Sequence, residues 1–282
     1  MYGAAMKEQH GQAGHPAAGD VATEAVGAAD AASGDAGDLD QQLRDCQAEL
    51  ERVTRDHALV SHGIAHDLRA PLRAIDGFAA MLEAGSGESL DAAGRDQLAR
   101  IRAAAARMAS LIDALQALSR ASHDALEIGE VDASLLVDWA LVELCDAEPG
   151  RRVESSVQPG ILVRADERQL KLVFDHLLHN AWKFSAGRDA VHITVDAEQA
   201  RDTVRIHVRD QGSGFDTRHA DRMFDPFQRL HGADEGGGHG LGLTIARRII
   251  ERMRGRIFAD SVRGEGSVFH VELPAARSPA SP

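Results

Sequence analysis

Long apolar runs are missing from this chain of 282 residues. No stretch approaches the ~18 uninterrupted apolar residues that a membrane helix needs. The first residues also lack the basic segment and apolar run of a secretory leader. The sequence therefore predicts no membrane span and a cytoplasmic location. Cysteine is nearly absent: Cys46 and Cys145 are the only two. They form neither a disulfide framework nor a paired-cysteine zinc motif, which fits a reducing compartment. Aromatics make up 4%, so a core must rest on Ala, Leu, Ile and Val. Basic residues are outnumbered, 31 Lys and Arg against 44 Asp and Glu, for a net charge of -13. A nucleic-acid partner needs clustered positive charge and is not expected. No sensor module is recognisable.

What the chain does have is 44% hydrophobic residues, enough for a real core. Its length suggests two folded units, or one unit with long helices. Residues 1–38 are rich in Ala, Gly and Asp with no apolar period, and are expected to form a disordered tail. From Leu39 two heptad rows interleave. Leu39, Cys46, Val53 and Val60 form one, and Leu43, Leu50, His57 and Ile64 the other. That is the a/d seam of a coiled coil, imperfect at Cys46 and His57. The helix is expected to continue through Pro71, which usually kinks a helix, to about Glu83. Gly85-Ser86-Gly87 breaks it, and Ser89 to Asp91 offer a new start. Leu98, Ile101, Met108, Leu111, Ile112, Leu115 and Leu118 then repeat at helical spacing. One such hairpin leaves an apolar stripe wet, whereas two from two chains close a four-helix bundle. A homodimer is expected.

After about His123 the pattern turns α+β. Helices are predicted over 132–145, 166–184 and near 240–253. Strands are predicted over 151–157, 161–164, 190–197 and 203–210, and near 256–261 and 267–273. They should form a mixed sheet with helices on one face. Pro274 and Pro279 suggest a loose tail.

Four segments could carry chemistry. His66-Asp67-Leu68-Arg69-Ala70-Pro71-Leu72 places a carboxylate beside an imidazole. A neutral imidazole can attack a phosphoryl group while the carboxylate holds its other nitrogen or acts as a base. His62 and His66 are also an i, i+4 pair, but the metalloprotease pattern needs Glu at position 63, where Gly63 stands. His176 to Phe184 offers Asn180 as an oxygen ligand for Mg²⁺ and Lys183 as a charge for phosphate. The plainer reading is an amphipathic helix with Leu177, Leu178 and Phe184 inward. Asp210-Gln211-Gly212-Ser213-Gly214 follows a strand, where Asp210 can accept from an exocyclic amine. Gly236 to Leu243 opens a helix with glycines suited to phosphate, yet it lacks Gly-Lys-Ser/Thr and any surrounding βαβ unit. Between these lies Phe224-Asp225-Pro226-Phe227-Gln228-Arg229-Leu230. It reads as a lid anchored by Phe224 and Phe227, with Arg229 reaching phosphate.

Together these segments resemble the two-component sensor histidine kinases, in which a dimerisation and phosphotransfer hairpin precedes a Bergerat-type ATPase domain. HDLRAPL is similar to their H box, HLLHNAWKFS to the N box, DQGSG to the G1 box, FDPFQRL to the F box and GHGLGL to the G2 box, all in family order over residues 57–273. WKFS and DPFQRLHGADE look most like the bacterial phytochrome type, although its photosensory half is not seen. The resemblance implies a dimeric four-helix bundle followed by an α+β sandwich. It implies residues 39–123 as coiled coil and phosphotransfer hairpin, 128–275 as ATP-binding domain and 276–282 as a flexible tail. It also implies ATP and Mg²⁺ as cofactors, and His66 as phospho-acceptor activated by Asp67. Asn180 would hold Mg²⁺, Lys183 and Arg229 would meet the triphosphate, and Asp210 would read adenine. Gly212, Gly214, Phe224, Phe227, Gly238, Gly240, Leu241 and Gly242 would shape the pocket and lid. The partner would be a response regulator receiver domain, with a sensory protein as a further candidate. Two positions depart from the pattern. His176 stands where the family often has Asn, and Ala70 where phosphatase-active members carry Thr or Asn. Ala has no hydrogen-bonding side chain to position water, which points to weak phosphatase activity.

Overall fold

The computed structural model describes residues 41–46, 48–49, 52–53, 63–85, 89–228 and 238–276. The expected tails at 1–38 and 277–282, and much of the heptad seam, lie outside them. Contacts divide the chain into residues 1–56 and 57–282. In the first unit the described residues between 41 and 53 are helical, with Arg52 paired to Glu49 at 2.8 Å.

The second unit begins with helix α1, residues 63–85, which passes through Pro71 without a break in its helical assignment. Pro71 has no N–H to give, so the Asp67 carbonyl one turn back lacks its usual helical donor. Helix α2, Ala92–His123, starts where Asp91 accepts from the Gly94 N–H (2.7 Å). Each helix carries two heptad rows. Ala65, Leu72 and Ala79 of α1 and Leu98, Ala105 and Ile112 of α2 are buried. Leu68, Ile75 and Leu82, with Ile101, Met108 and Leu115, are exposed. Ion pairs stitch the hairpin: Arg102 reaches Asp76 (3.1 Å) and Glu83 (2.6 Å), and Arg69 reaches Asp113. A cleft of about 340 Å³ opens beside Ile64, Leu68, Leu115 and Leu118.

The rest of the unit is α+β. In chain order come β1 (Gly129–Asp132), α3 (Ala133–Ala147), β2 (Val153–Val157), β3 (Leu162–Ala165) and α4 (Glu167–Phe184). Then follow β4 (Val191–Ala200), β5 (Thr203–Asp210), two 3₁₀ turns, α5 (Gly242–Arg252), β6 (Arg256–Val262) and β7 (Gly266–Pro274). Five strands form a mixed sheet in the order β2-β4-β5-β7-β6, with β2 and β4 parallel and the other pairs antiparallel. Alternation sets the inward face: Val204, Ile206 and Val208 are buried against Leu170, Phe174, Leu177 and Leu178 of α4 and Ile245 and Ile249 of α5. The strand predicted at 161–164 does not join this sheet. It pairs with β1, which the sequence did not suggest. Pro274 ends β7 opposite Thr203 and so belongs to the sheet, not to a tail.

Hairpin and sheet layer share a seam. Ala121 of α2 is buried in the larger core, with Leu111, Ala114, Ala117 and Leu118 packed against it. Arg252 of α5 donates to the carbonyl oxygens of Ala121 (2.9 Å) and Asp124. Asp166 is buried and does two tasks: Oδ1 caps α4 through the Gln169 N–H (3.0 Å), and Oδ2 accepts from the Glu127 N–H (2.8 Å). The segment after α2 is thereby fastened to the start of α4.

Candidate functional site

On α1, the Nδ1 of His66 lies 3.2 Å from Oδ1 of Asp67, and both side chains are exposed. A carboxylate in that place favours the tautomer with the proton on Nδ1. The lone pair then sits on Nε2, which is open to a reacting group.

The other motifs converge around α4. His176, Asn180 and Lys183 recur at i, i+4 and i+7, which keeps them on one side of the helix. Loop glycines come up to that side. A Cβ on Gly242 would sit 3.1 Å from His176 Nδ1, and one on Gly238 would sit 3.4 Å from Lys183 Nζ. A Cβ on Gly212 would lie 2.8 Å from the Phe184 carbonyl oxygen. Gly240 has φ +69, accepts at its carbonyl from the Phe227 N–H (3.0 Å), and has no room for a Cβ, which would stand 2.6 Å from Gln228 O. Helix α5 begins at Gly242 without a side-chain cap. Its first N–H groups are thus available to an anion. Leu241 is buried in the core just before it.

Asp210 ends β5 on the inward side of the sheet and is buried. Its Oδ1 accepts from the Gly212 N–H (2.8 Å). Burial pushes its carboxyl above the ordinary value, against the opposing pull of the Gly212 and Ser267 backbone donors. A buried carboxylate gains from each further donor, and an exocyclic amine can supply one. Gly214, at φ +59, lies too close to the Val262 carbonyl to bear a side chain. His176 is held neutral: burial, then the nearby His179, lowers its pKa to about 4. Its Nε2 is buried without a hydrogen-bond partner.

The structure therefore brings Gly238 to Lys183, Gly242 to His176 and Gly212 to Asp210 and the end of α4, while His66 and Asp67 pair with each other on α1. The two expected lid anchors differ. Phe224 is buried, but Phe227 is exposed and holds φ +62, so its backbone bond to Gly240 fixes it rather than its ring. Arg229, Gly236 and Gly237 lie outside the described residues. One sequence inference needs revising, and one residue went unnoticed. Trp182 rather than Phe184 completes the buried face of α4, and Phe184 is half-buried beneath Lys183 Nζ, 4.8 Å from its ring. Gly266 was not singled out, yet its φ is +115 and a Cβ there would meet the Asp210 carbonyl at 2.0 Å. The Gly264-x-Gly266 spacing between the last two strands was the available signal.

Asn180 offers the hard side-chain oxygen that suits Mg²⁺, with water and phosphate oxygens completing the shell. His176 offers only nitrogen, a poor match for that ion. Among the described residues no group of three His, Cys, Asp or Glu is placed to hold a metal. The Asn180 oxygen is thus compatible with a Mg²⁺ that takes most of its ligands from water and phosphate.

Comparison with known proteins agrees with this geometry. Residues 165–277 match the family model for histidine kinase-, DNA gyrase B- and HSP90-like ATPases, and residues 58–124 match the His kinase A phospho-acceptor domain. Cyanobacterial phytochrome A of Nostoc sp. is 33% identical over 235 residues, covering 83% of this chain and 30% of that protein. Sensor protein DivL of Caulobacter vibrioides is 33% identical over 258 residues, covering 88% of this chain and 32% of that protein. The chain thus spans about a third of the length of these relatives. Among solved structures, full-length ShkA in complex with AMPPNP aligns with a TM-score of 0.58 at 27% identity, over 78% of this chain and 46% of that one. No helix among the described residues is long and apolar enough to cross a membrane.

Proposed function

Because this chain belongs to the two-component sensor histidine kinases, we propose that it transfers the γ-phosphoryl group of ATP to its own His66 and then to an aspartate of a response regulator receiver domain. The observation that carries this reading is the approach of two glycine loops, at 210–214 and 238–242, to His176, Lys183 and Phe184 of α4, in a chain that also carries an exposed His66-Asp67 pair.

In this reading Asp210 receives the adenine amine, and the uncapped start of α5 with Lys183 meets the phosphates. Arg229 would join them from the lid. Asn180 would hold Mg²⁺, which when bound neutralises charge on the phosphates. His66 attacks through Nε2: the Nε2–P bond forms as the bond from Pγ to the β,γ-bridging oxygen breaks, and ADP leaves with that electron pair. The Nδ1 proton stays on the ring, and Asp67 balances the imidazolium charge. The acting species would be a cytoplasmic homodimer. Its exposed heptad row of Leu68, Ile75 and Leu82, with Ile101, Met108 and Leu115, is the stripe that a second hairpin would cover. Ala70 gives no side-chain group to orient a water, so dephosphorylation of the regulator should be weak.

The test is incubation with γ-labelled ATP and Mg²⁺, comparing the chain with its His66→Gln variant. Acid-labile, base-stable label that disappears in the variant is the expected result. Absence of label with nucleotide binding intact would defeat the kinase reading and turn attention to His176. The same preparation, mixed with a phosphorylated regulator, should leave its phosphate in place; rapid loss independent of free ADP would refute the weak-phosphatase assignment.

A further inference from the structure

The loop that leaves α4 carries a side chain that the reading above does not use. Arg188 lies between α4 and β4. Its Nη2 donates to two carbonyl oxygens, Gly212 at 3.2 Å and Gly264 at 2.5 Å. The first belongs to the turn that follows Asp210. The second belongs to the turn joining β6 and β7.

These two bonds complete a circuit. The peptide joining Gly212 and Ser213 gives its N–H to the Phe184 carbonyl (3.0 Å) and receives Arg188 at its own carbonyl, so it is held at both ends. One peptide earlier, the Gly212 N–H donates to Asp210 Oδ1 (2.8 Å). One residue later, the Ser213 carbonyl accepts from the Gly264 N–H (2.7 Å). Arg188 then binds the Gly264 carbonyl. Glycine turns have many accessible backbone states. This one has Gly212 and Gly214 at its corners, which bear no side chains to pack, so hydrogen bonds help select its conformation. Without these anchors the turn is free to shift at Gly212, and a shift of the Gly212 backbone would loosen its N–H from the Asp210 carboxylate.

We infer that Arg188 is a positioning residue for the nucleotide base. It locks the 212–213 peptide between two loops and thereby fixes the aim of Asp210. The inference rests on the reading of Asp210 as the adenine acceptor. An arginine suits the task because the two N–H groups of Nη2 have fixed directions in the guanidinium plane and reach one carbonyl each, whereas a lysine ammonium rotates freely on a flexible stem. The side chain is exposed and fills no core, so its removal leaves the fold intact.

The experiment measures autophosphorylation of the full chain against ATP concentration for the native protein, Arg188→Ala and Arg188→Lys. Hydrogen bonds from a charged donor at a partly exposed site correspond to a rise in KM of roughly 5- to 10-fold for Arg188→Ala. The rate at saturating ATP should hold, because such a change removes ground-state and transition-state binding alike. Arg188→Lys should recover part of the loss. Two competitors separate base from phosphate. ADP should weaken as an inhibitor by the same factor as ATP, and inorganic tripolyphosphate should be unaffected. An unchanged KM, or an equal loss for tripolyphosphate, would overturn the assignment while leaving the kinase reading standing. If the native chain shows no label, the kinase reading fails by itself. Calorimetric titration of ADP into the native and Arg188→Ala proteins then decides the inference: weaker binding in the variant supports it, and equal affinity overturns it.

Discussion

The hairpin and the sheet layer solve the burial problem in opposite ways. In the sheet layer Leu170, Val173, Phe174, Leu177 and Leu178 of α4 show no exposure, because two helices and five strands close over them. In the hairpin the residues buried within one chain are Leu72, Leu98 and Ile112 with the small Ala65, Ala79 and Ala105, while Leu68, Ile75, Phe78, Met81 and Leu82 stay exposed. The first region is complete as a single chain. The second leaves many of its larger side chains uncovered, so a second surface laid against them would add to its stability. The phospho-accepting candidate lies on the incomplete region and the nucleotide candidates lie on the complete one.

The comparison predicts unequal responses to the same substitution. Leu178→Ala in the sheet layer should cost about 2–5 kcal/mol, the usual penalty for a cavity in a closed core. That loss should not depend on protein concentration. Leu68→Ala should cost under about 1 kcal/mol within one chain, since much of the side chain is already wet. Its larger effect should fall on association. Thermal unfolding of each variant across a hundredfold range of concentration checks this, because linked assembly makes Tm concentration-dependent. A concentration-independent Tm for Leu68→Ala and the native chain alike would break the contrast.

How much of this was legible beforehand follows the same divide. The inward row Val204, Ile206 and Val208 could be read because β-alternation needs no partner to be seen. The Asp91 start of α2 was likewise local, a capping side chain beside its helix. Strand β1 was not legible. Gly129-Glu130-Val131-Asp132 has one apolar residue in four, and it is a strand because Leu162–Ala165 lies opposite it, about thirty residues away. Pro274 reads as a breaker, but a strand's last residue has no ladder donor to lose. At the site, motif order located Asp210 and the glycines. Sequence could not show that Gly266 backs Asp210, or that Arg188 spans two turns, because an exposed arginine in a loop looks the same whether or not carbonyls face it.

Acid should reach the complete region first. His176 is pushed down to about 4 by burial and His179, and His270 is lowered by burial and by His207, whose Nδ1 lies 2.8 Å from its own. In the unfolded chain both histidines take up protons near the ordinary value of about 6.5. The unfolded state therefore binds more protons below that pH, and stability falls as pH drops. For His176 the loss runs from about pH 6.5 to about 4 and amounts to at most about 3 kcal/mol. Urea unfolding at pH 7.5, 6 and 5 should show this decline, and His176→Asn should flatten part of it. A decline of equal size in His176→Asn would assign the acid sensitivity elsewhere.

The smallest effect belongs to the seam. Arg252 donates from α5 to the Ala121 and Asp124 carbonyls at the end of α2, where a helix has acceptors without internal donors. It thereby ties the end of the hairpin to the closed core of the sheet layer. Arg252→Ala should cost about 1 kcal/mol, since water can replace a half-exposed donor. The loss should be local. Amide exchange should quicken over residues 119–128 while the buried amides of α4 keep their protection, because terminal segments open independently of the core. If α4 loosened to the same extent, the two regions would be one cooperative body, and the contrast between them would hold for packing but not for stability.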